Sequence, residues 1–308
     1  MTALLLLPLL LPCALPVPAR RALARLAPAT ALWAVTGCAV VLAGCSLAAL
    51  GAFVLIGLLR LPLFAAFGEF IHPLHTASAL IVVPAAATSV GVLAVCCWTL
   101  VRSVLRQSRA FRIARTEAGR RPAAGDLCVV DSPRPDAYAL PGRPHRIVVT
   151  TAMLRSLDGP EREALFAHER AHNEGGHHYF LAAAELAAHC HPALRPVRTT
   201  IRLAAERAAD EAAAARVGDR RLTARAIARA ALAGHAAGTP RPDFAAAATT
   251  GPVPQRVQAL LGAPGGPRAG RAVAALLIAC TALSGAAAAA GLVDFHHRVE
   301  VAQGEEAP

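Results

Sequence analysis

Three long uncharged apolar runs, residues 29–59, 76–101 and 272–293, set the strongest limit on what this chain can fold into. Each meets the length of about 20 apolar residues that a helix needs to cross a hydrocarbon core. A fourth run, residues 2–17, is also uncharged, but it is short and holds Pro8, Pro12 and Pro16. A secretory signal carries its positive charge ahead of the apolar stretch. Here Arg20, Arg21 and Arg25 follow it, so it reads as a first span with its N-terminus outside. A hydrophobic content of 55% and a mean hydropathy of +0.46 agree with four spans.

The basic residues orient the spans. Arg20, Arg21 and Arg25 lie between the first two, Arg102, Arg106, Arg109, Arg112 and Arg115 follow the third, and Arg268 and Arg271 precede the fourth. Asp294, Glu300, Glu305 and Glu306 dominate the tail. Arginine-rich loops stay on the cytoplasmic side. The expected layout is therefore a three-span region over 1–101, a cytoplasmic domain over 102–271, a fourth span over 272–293 and a short external tail over 294–308, in the plasma membrane.

The net charge of +11 does not by itself imply a nucleic-acid partner. All 31 basic residues are arginine, a bias that fits a GC-rich coding sequence, and with 4% aromatics there is no stacking platform. Direct nucleic-acid binding is not expected. Six of the eight cysteines fall in apolar runs, and none forms C-x-x-C, which argues against a zinc ribbon or a disulfide framework.

Within 102–271, residues 126–130 (DLCVV) and 146–150 (RIVVT) predict short strands, and the stretch between them reads as turn-rich. Asp158-Gly159-Pro160 predicts a helix start, with the helix running to about His172. Further helices are predicted over 196–217 and 222–237. The fold class is mainly α, with a small α+β unit between spans three and four.

The first predicted helix contains H-E-x-x-H as His168, Glu169 and His172. Residues four apart share a helix face, so the two imidazoles can grip one zinc ion. Glu169, one position on, is set to act as a base on water rather than to ligate. Two buried histidines and a glutamate would be costly without a metal. Downstream, Glu206 and Asp210 are also four apart. Glu206 can complete a His₂Glu set, and Asp210 can accept a hydrogen bond from the far nitrogen of His168. The competing reading is a solvated helix face on which both acids pair with Arg202 or Arg207.

AYALPG, RIVVTTAMLRSLDGPEREALFAHERAH and ERAAD together resemble the membrane gluzincin peptidases, among them the HtpX-type proteases, the CaaX prenyl endopeptidases and the BlaR/MecR-type antirepressor peptidases. The resemblance covers about half of the chain. It implies a mini-gluzincin domain, one zinc per chain on His168, His172 and Glu206, a supporting Asp210 and Glu169 as base. The three-plus-one span layout favours the BlaR/MecR type, without its sensor domain. The implied partners are the bilayer and a protein substrate, in the regulatory case a winged-helix transcriptional repressor. The alternatives are HtpX-type quality control and a catalytically silent receptor or scaffold. The strand over 145–150 is expected at a sheet edge, where His145, Ile147 and Val149 could meet an extended substrate. His178 and Arg256 are further candidate substrate contacts, although Gly251 and Pro252 stand where relatives carry His-Pro. Tyr138, His235 and Arg256 are candidates for steadying an oxyanion. His189 and His191 in HCHP read as structural.

Overall fold

A computed structural model describes residues 2–58, 79–121, 123–235, 252–262 and 267–304. Arg60, Glu69, His72 and His75, and the side chains of His235 and His296, lie outside what it describes.

Long helices follow the apolar runs. α3 (Pro28–Leu58) has 31 residues, about 46 Å at 1.5 Å per residue, which exceeds a hydrocarbon core of about 30 Å. α4 (Ala79–Gly119) continues without a break past the last apolar residues into the arginine-rich stretch. The final helix, α11 (Pro267–Gly304), also runs on past its apolar part. These give three candidate spans.

The first run departs from the expectation of one straight span. It forms α1 (Thr2–Ala14) and α2 (Pro16–Arg25), bent by 45°. Prolines account for the break, because each removes a backbone donor. Pro12 cannot donate to the Pro8 carbonyl, and Ser46 Oγ of α3 donates to that oxygen instead, at 2.8 Å. Only as a bent pair does this segment reach the length of a fourth span.

After α4 comes a four-stranded sheet: β1 (Ala123–Ala124), β2 (Leu127–Val130), β3 (Ala137–Leu140) and β4 (Arg146–Thr150). The spatial order is β1-β2-β4-β3, with β2 and β4 parallel and the other pairs antiparallel. This corrects two expectations. AYAL, read as part of a turn-rich stretch, is β3. β4 is an interior strand, hydrogen-bonded on both sides, so the substrate edge expected over 145–150 is not there. Two prolines, Pro135 and Pro141, bracket AYAL and masked its strand character in the sequence.

After α5 (Thr151–Ser156) come α6 (Gly159–Glu174), α7 (His177–Cys190), α8 (Arg195–Val217), α9 (Arg220–His235) and α10 (Val253–Leu261). α7 was not anticipated. It packs on α3, and Phe180, Leu181, Ala184 and Ala187 share one core with Leu32, Val35 and Leu42 of α3, Val197 and Ile201 of α8, and Leu277 of α11. At its end, the His191 ring meets the Leu9 carbonyl of α1 at 3.0 Å. The candidate spanning helices and the two helices that flank the H-E-x-x-H and Glu206 positions thus form one packed body.

Candidate active site

α6 carries H-E-x-x-H and is fixed at both ends. Asp158 caps it in a reciprocal capping box: its side chain accepts from Glu161 N at 2.9 Å, and Glu161 Oε2 accepts from Asp158 N at 3.1 Å. Glu161 is fully buried and also accepts from Arg225 and Arg229, at 3.0 and 2.7 Å, which ties α6 to α9. Near the other end, Arg170 grips Asp126 beside β2 with two bonds, at 2.7 and 3.0 Å. The helix stops at a glycine pair. Gly176 takes a left-handed φ of 60°, and a Cβ on Gly175 would sit 2.6 Å from His177 Nε2. That close approach lets His177 fold back towards α6.

α8 packs along α6 and presents Glu206 and Asp210 to the two histidines. His168 Nε2 and His172 Nε2 lie 3.0 Å apart, and Glu206 Oε2 lies 3.6 and 3.8 Å from them. His168, Glu169, Glu206 and Asp210 are all at most 1% exposed, and His172 is 2%. Asp210 Oδ1 meets the far nitrogen of His168, Nδ1, at 3.0 Å. The solvated-face reading of Glu206 and Asp210 therefore does not hold. Glu211, a quarter-turn on, pairs with Arg220 instead.

Three atoms at these spacings can all lie about 2.0–2.2 Å from one common point, the bond length for zinc to imidazole nitrogen or carboxylate oxygen. The charges agree. Three buried carboxylates, Glu169, Glu206 and Asp210, face one buried guanidinium, Arg256, and a divalent cation offsets the excess. The residues fit zinc on both counts.

The electrostatics explain how the set is poised. Burial works against a proton on His168, but bonds to Asp210 and Glu206 outweigh it and raise that imidazole to about 9. Burial also opposes charge on Glu206, yet Arg256 and the two histidines hold its carboxyl well below the usual range. Glu206 is thus ionised and ready to ligate at neutral pH. A metal entering the site displaces a proton from His168.

Two partners of this set were missed or misassigned in the sequence. His177 is buried, and its Nδ1 lies 2.8 Å from His172 Nδ1, so it orients the second histidine as Asp210 orients the first. Burial, with His172 and His168 nearby, lowers His177 to about 3 and keeps it neutral. In the sequence His177 stands five positions after His172, outside the H-E-x-x-H pattern. Arg256 is the misassigned one. It is 0% exposed, behind Glu206 and Asp210, and cannot reach a substrate.

The other candidates separate as follows. Ile147 is buried with a backbone paired on both sides, and Val149 likewise, so neither meets substrate. Tyr138 packs with Val148 and Phe111 on the sheet face towards α4, away from α6, which removes it as an oxyanion group. His145 is exposed. His178 is half-buried beside Tyr179, and burial and then His145 lower its basicity. Together with Val104, Phe111, Pro141 and Leu186, His178 and Tyr179 line a groove of about 450 Å³ between α4 and α7.

Residues 106–191 match Peptidase family M48, a span that includes the sheet, α6 and α7 and ends before Glu206. The match, with the His168, His172 and Glu206 cluster, supports a zinc metallopeptidase of the membrane type. Neither the curated proteins nor the solved structures gave a match.

Proposed function

We propose that this chain is a multi-pass, membrane-bound zinc endopeptidase that cleaves protein substrates in regulatory proteolysis. The observation that carries the reading is the convergence of His168 Nε2, His172 Nε2 and Glu206 Oε2 on one point, with Glu169 next in sequence to a ligand and outside the ligand set.

Zinc, when bound there, would polarise a scissile carbonyl and acidify a water molecule. The protein's own groups do the rest. Glu169 takes the proton from the attacking water and passes it to the leaving amine, so one carboxylate serves as base and then as acid. Asp210 holds His168 with its Nε2 turned inward, and His177 does the same for His172. The substrate backbone adds to the sheet at β3, which has a strand neighbour on one side only among the described residues and packs beside α6.

In this reading residues 102–271 face the cytoplasm, as the three arginine clusters require. Reporter fusions at Ala237 and Gly304 are expected to lie on opposite sides of the membrane. Same-side signals would remove the last span from the account.

A second reading, quality control of membrane proteins, is supported by one observation: α7 and α8 share their core with α3 and α11, two of the candidate spans. Co-expression with a soluble winged-helix repressor and, separately, with a misfolded membrane protein decides between the two. Regulatory proteolysis predicts chelator-sensitive cleavage of the repressor. Cleavage of the membrane protein alone would replace it with quality control.

A further inference from the structure

Arg256, which the sequence offered as a substrate contact or an oxyanion group, is the largest fully buried side chain in the described structure. It comes from α10, 46 residues after Asp210. Its Nε donates to Asp210 Oδ2 at 2.8 Å, its NH2 group donates to Asp210 Oδ1 at 2.6 Å, and NH1 lies 3.0 Å from Glu206 Oε2. One planar guanidinium therefore holds two carboxylates on successive turns of α8. Asp210 takes the two-pronged contact, and Glu206 takes the remaining nitrogen through the same oxygen that faces both histidines.

We propose that Arg256 is the positioning residue of the metal centre, holding Glu206 in its ligating orientation and Asp210 on His168 in a single clamp. The proposal rests on the zinc reading above and adds a residue to it. Three features support a built function rather than incidental burial. First, burying a guanidinium is costly unless its donors are paired, and here they meet the third ligand and the partner of the first. Second, Arg256 offsets one of the three acidic charges around the site, so the residual charge suits a divalent ion. Third, α10 is itself held in place to deliver it. Arg220, at the start of α9, donates to the carbonyls of Ala259 and Leu260 at the end of α10, at 3.2 and 2.8 Å. Leu260, four residues after Arg256 and so on the same face, packs against Ala214, Ala224 and Ile227. Lysine could not substitute fully, since one ammonium cannot make a planar two-pronged contact with Asp210 while reaching Glu206.

The test compares wild type, Arg256→Met, Arg256→Lys and Leu260→Ala in detergent. Zinc affinity is read by competition with a chromogenic chelator, and the ligand set by the visible spectrum of the cobalt-substituted protein. Arg256→Met is expected to lose about 10–100-fold in zinc affinity, the range for groups that orient metal ligands, and to change the cobalt spectrum. Arg256→Lys recovers part of the loss. Leu260→Ala lowers thermal stability by loosening α10 but keeps the wild-type cobalt spectrum. Should Arg256→Met fail to fold, Arg256→Lys carries the test, with weaker binding expected. Wild-type affinity and spectrum in the folded Arg256 variants would overturn the clamp and leave the zinc reading intact. A wild type that binds no zinc removes both.

Discussion

Replacing Glu169 with glutamine is expected to abolish proteolysis while leaving bound zinc near its wild-type level. The carboxylate is the proposed proton carrier, and an amide of the same shape cannot take up the proton. General acid–base groups contribute about 10² to 10⁴-fold to rate, and loss of water activation belongs at the upper end. The metal should stay because the convergent atoms belong to His168, His172 and Glu206. Glu169 is fully buried beside them, so the substitution also removes a buried charge near Arg256. The amide is neutral and of equal size, and the fold should tolerate it. Cleavage at the wild-type rate would take Glu169 out of the mechanism. Loss of zinc along with activity would recast Glu169 as a ligand.

Glu206→Gln should have the opposite signature, losing metal first and activity as a consequence. Glu206 Oε2 is the only acidic atom in the convergent set, and Arg256 keeps the carboxyl ionised against the cost of burial. An amide offers a weaker neutral oxygen and leaves Arg256 facing one carboxylate fewer. The loss of zinc affinity should exceed the about 10–100-fold expected for an outer partner. Competition with a chelator measures it. Equal zinc affinity in Glu206→Gln and wild type would sink the assignment of the third ligand.

The two variants also divide the enzyme reading from a scaffold that binds zinc without turnover. A scaffold would respond to Glu206→Gln and be indifferent to Glu169→Gln.

The parts of this site that local chemistry fixes could be read from the chain. Two histidines four apart on a helix must share a face, and so must Glu206 and Asp210 on the next one. Asp158-Gly159-Pro160 announced where α6 begins, and Asp158 does cap it. Charge-free runs longer than a bilayer core announced α3, α4 and α11. What could not be read depends on tertiary placement. β4 became interior because β3 returns to pair on its far side, and strand order of this kind has no local signature. α7 was not read from its alanine-rich sequence, in which Glu185 meets His189 at 3.4 Å and Arg198 at 2.7 Å. Arg256 was picked out as a candidate substrate contact, but nothing within its own helix shows that it turns inward to Glu206 and Asp210. Its partners are brought to it only by the packing of α10 against α8 and α9.

That placement also limits how independent the catalytic region can be. α7 and the start of α8 lie in the same core as Leu32, Leu42 and Leu277 of the candidate spans. Cutting the chain at the end of α4 would expose the apolar faces of both helices, and with them the supports of His177 and Glu206.

The most direct test of the central claim is a metal cycle on the full-length wild-type protein in detergent or nanodiscs, with a substrate that it cleaves. The protein is stripped with a chelator, assayed, reloaded with one equivalent of zinc and assayed again. The account predicts one zinc per chain before stripping, no cleavage after it, and recovery on reloading in wild type but not in Glu169→Gln. Cleavage that continues unchanged in metal-free protein would contradict it.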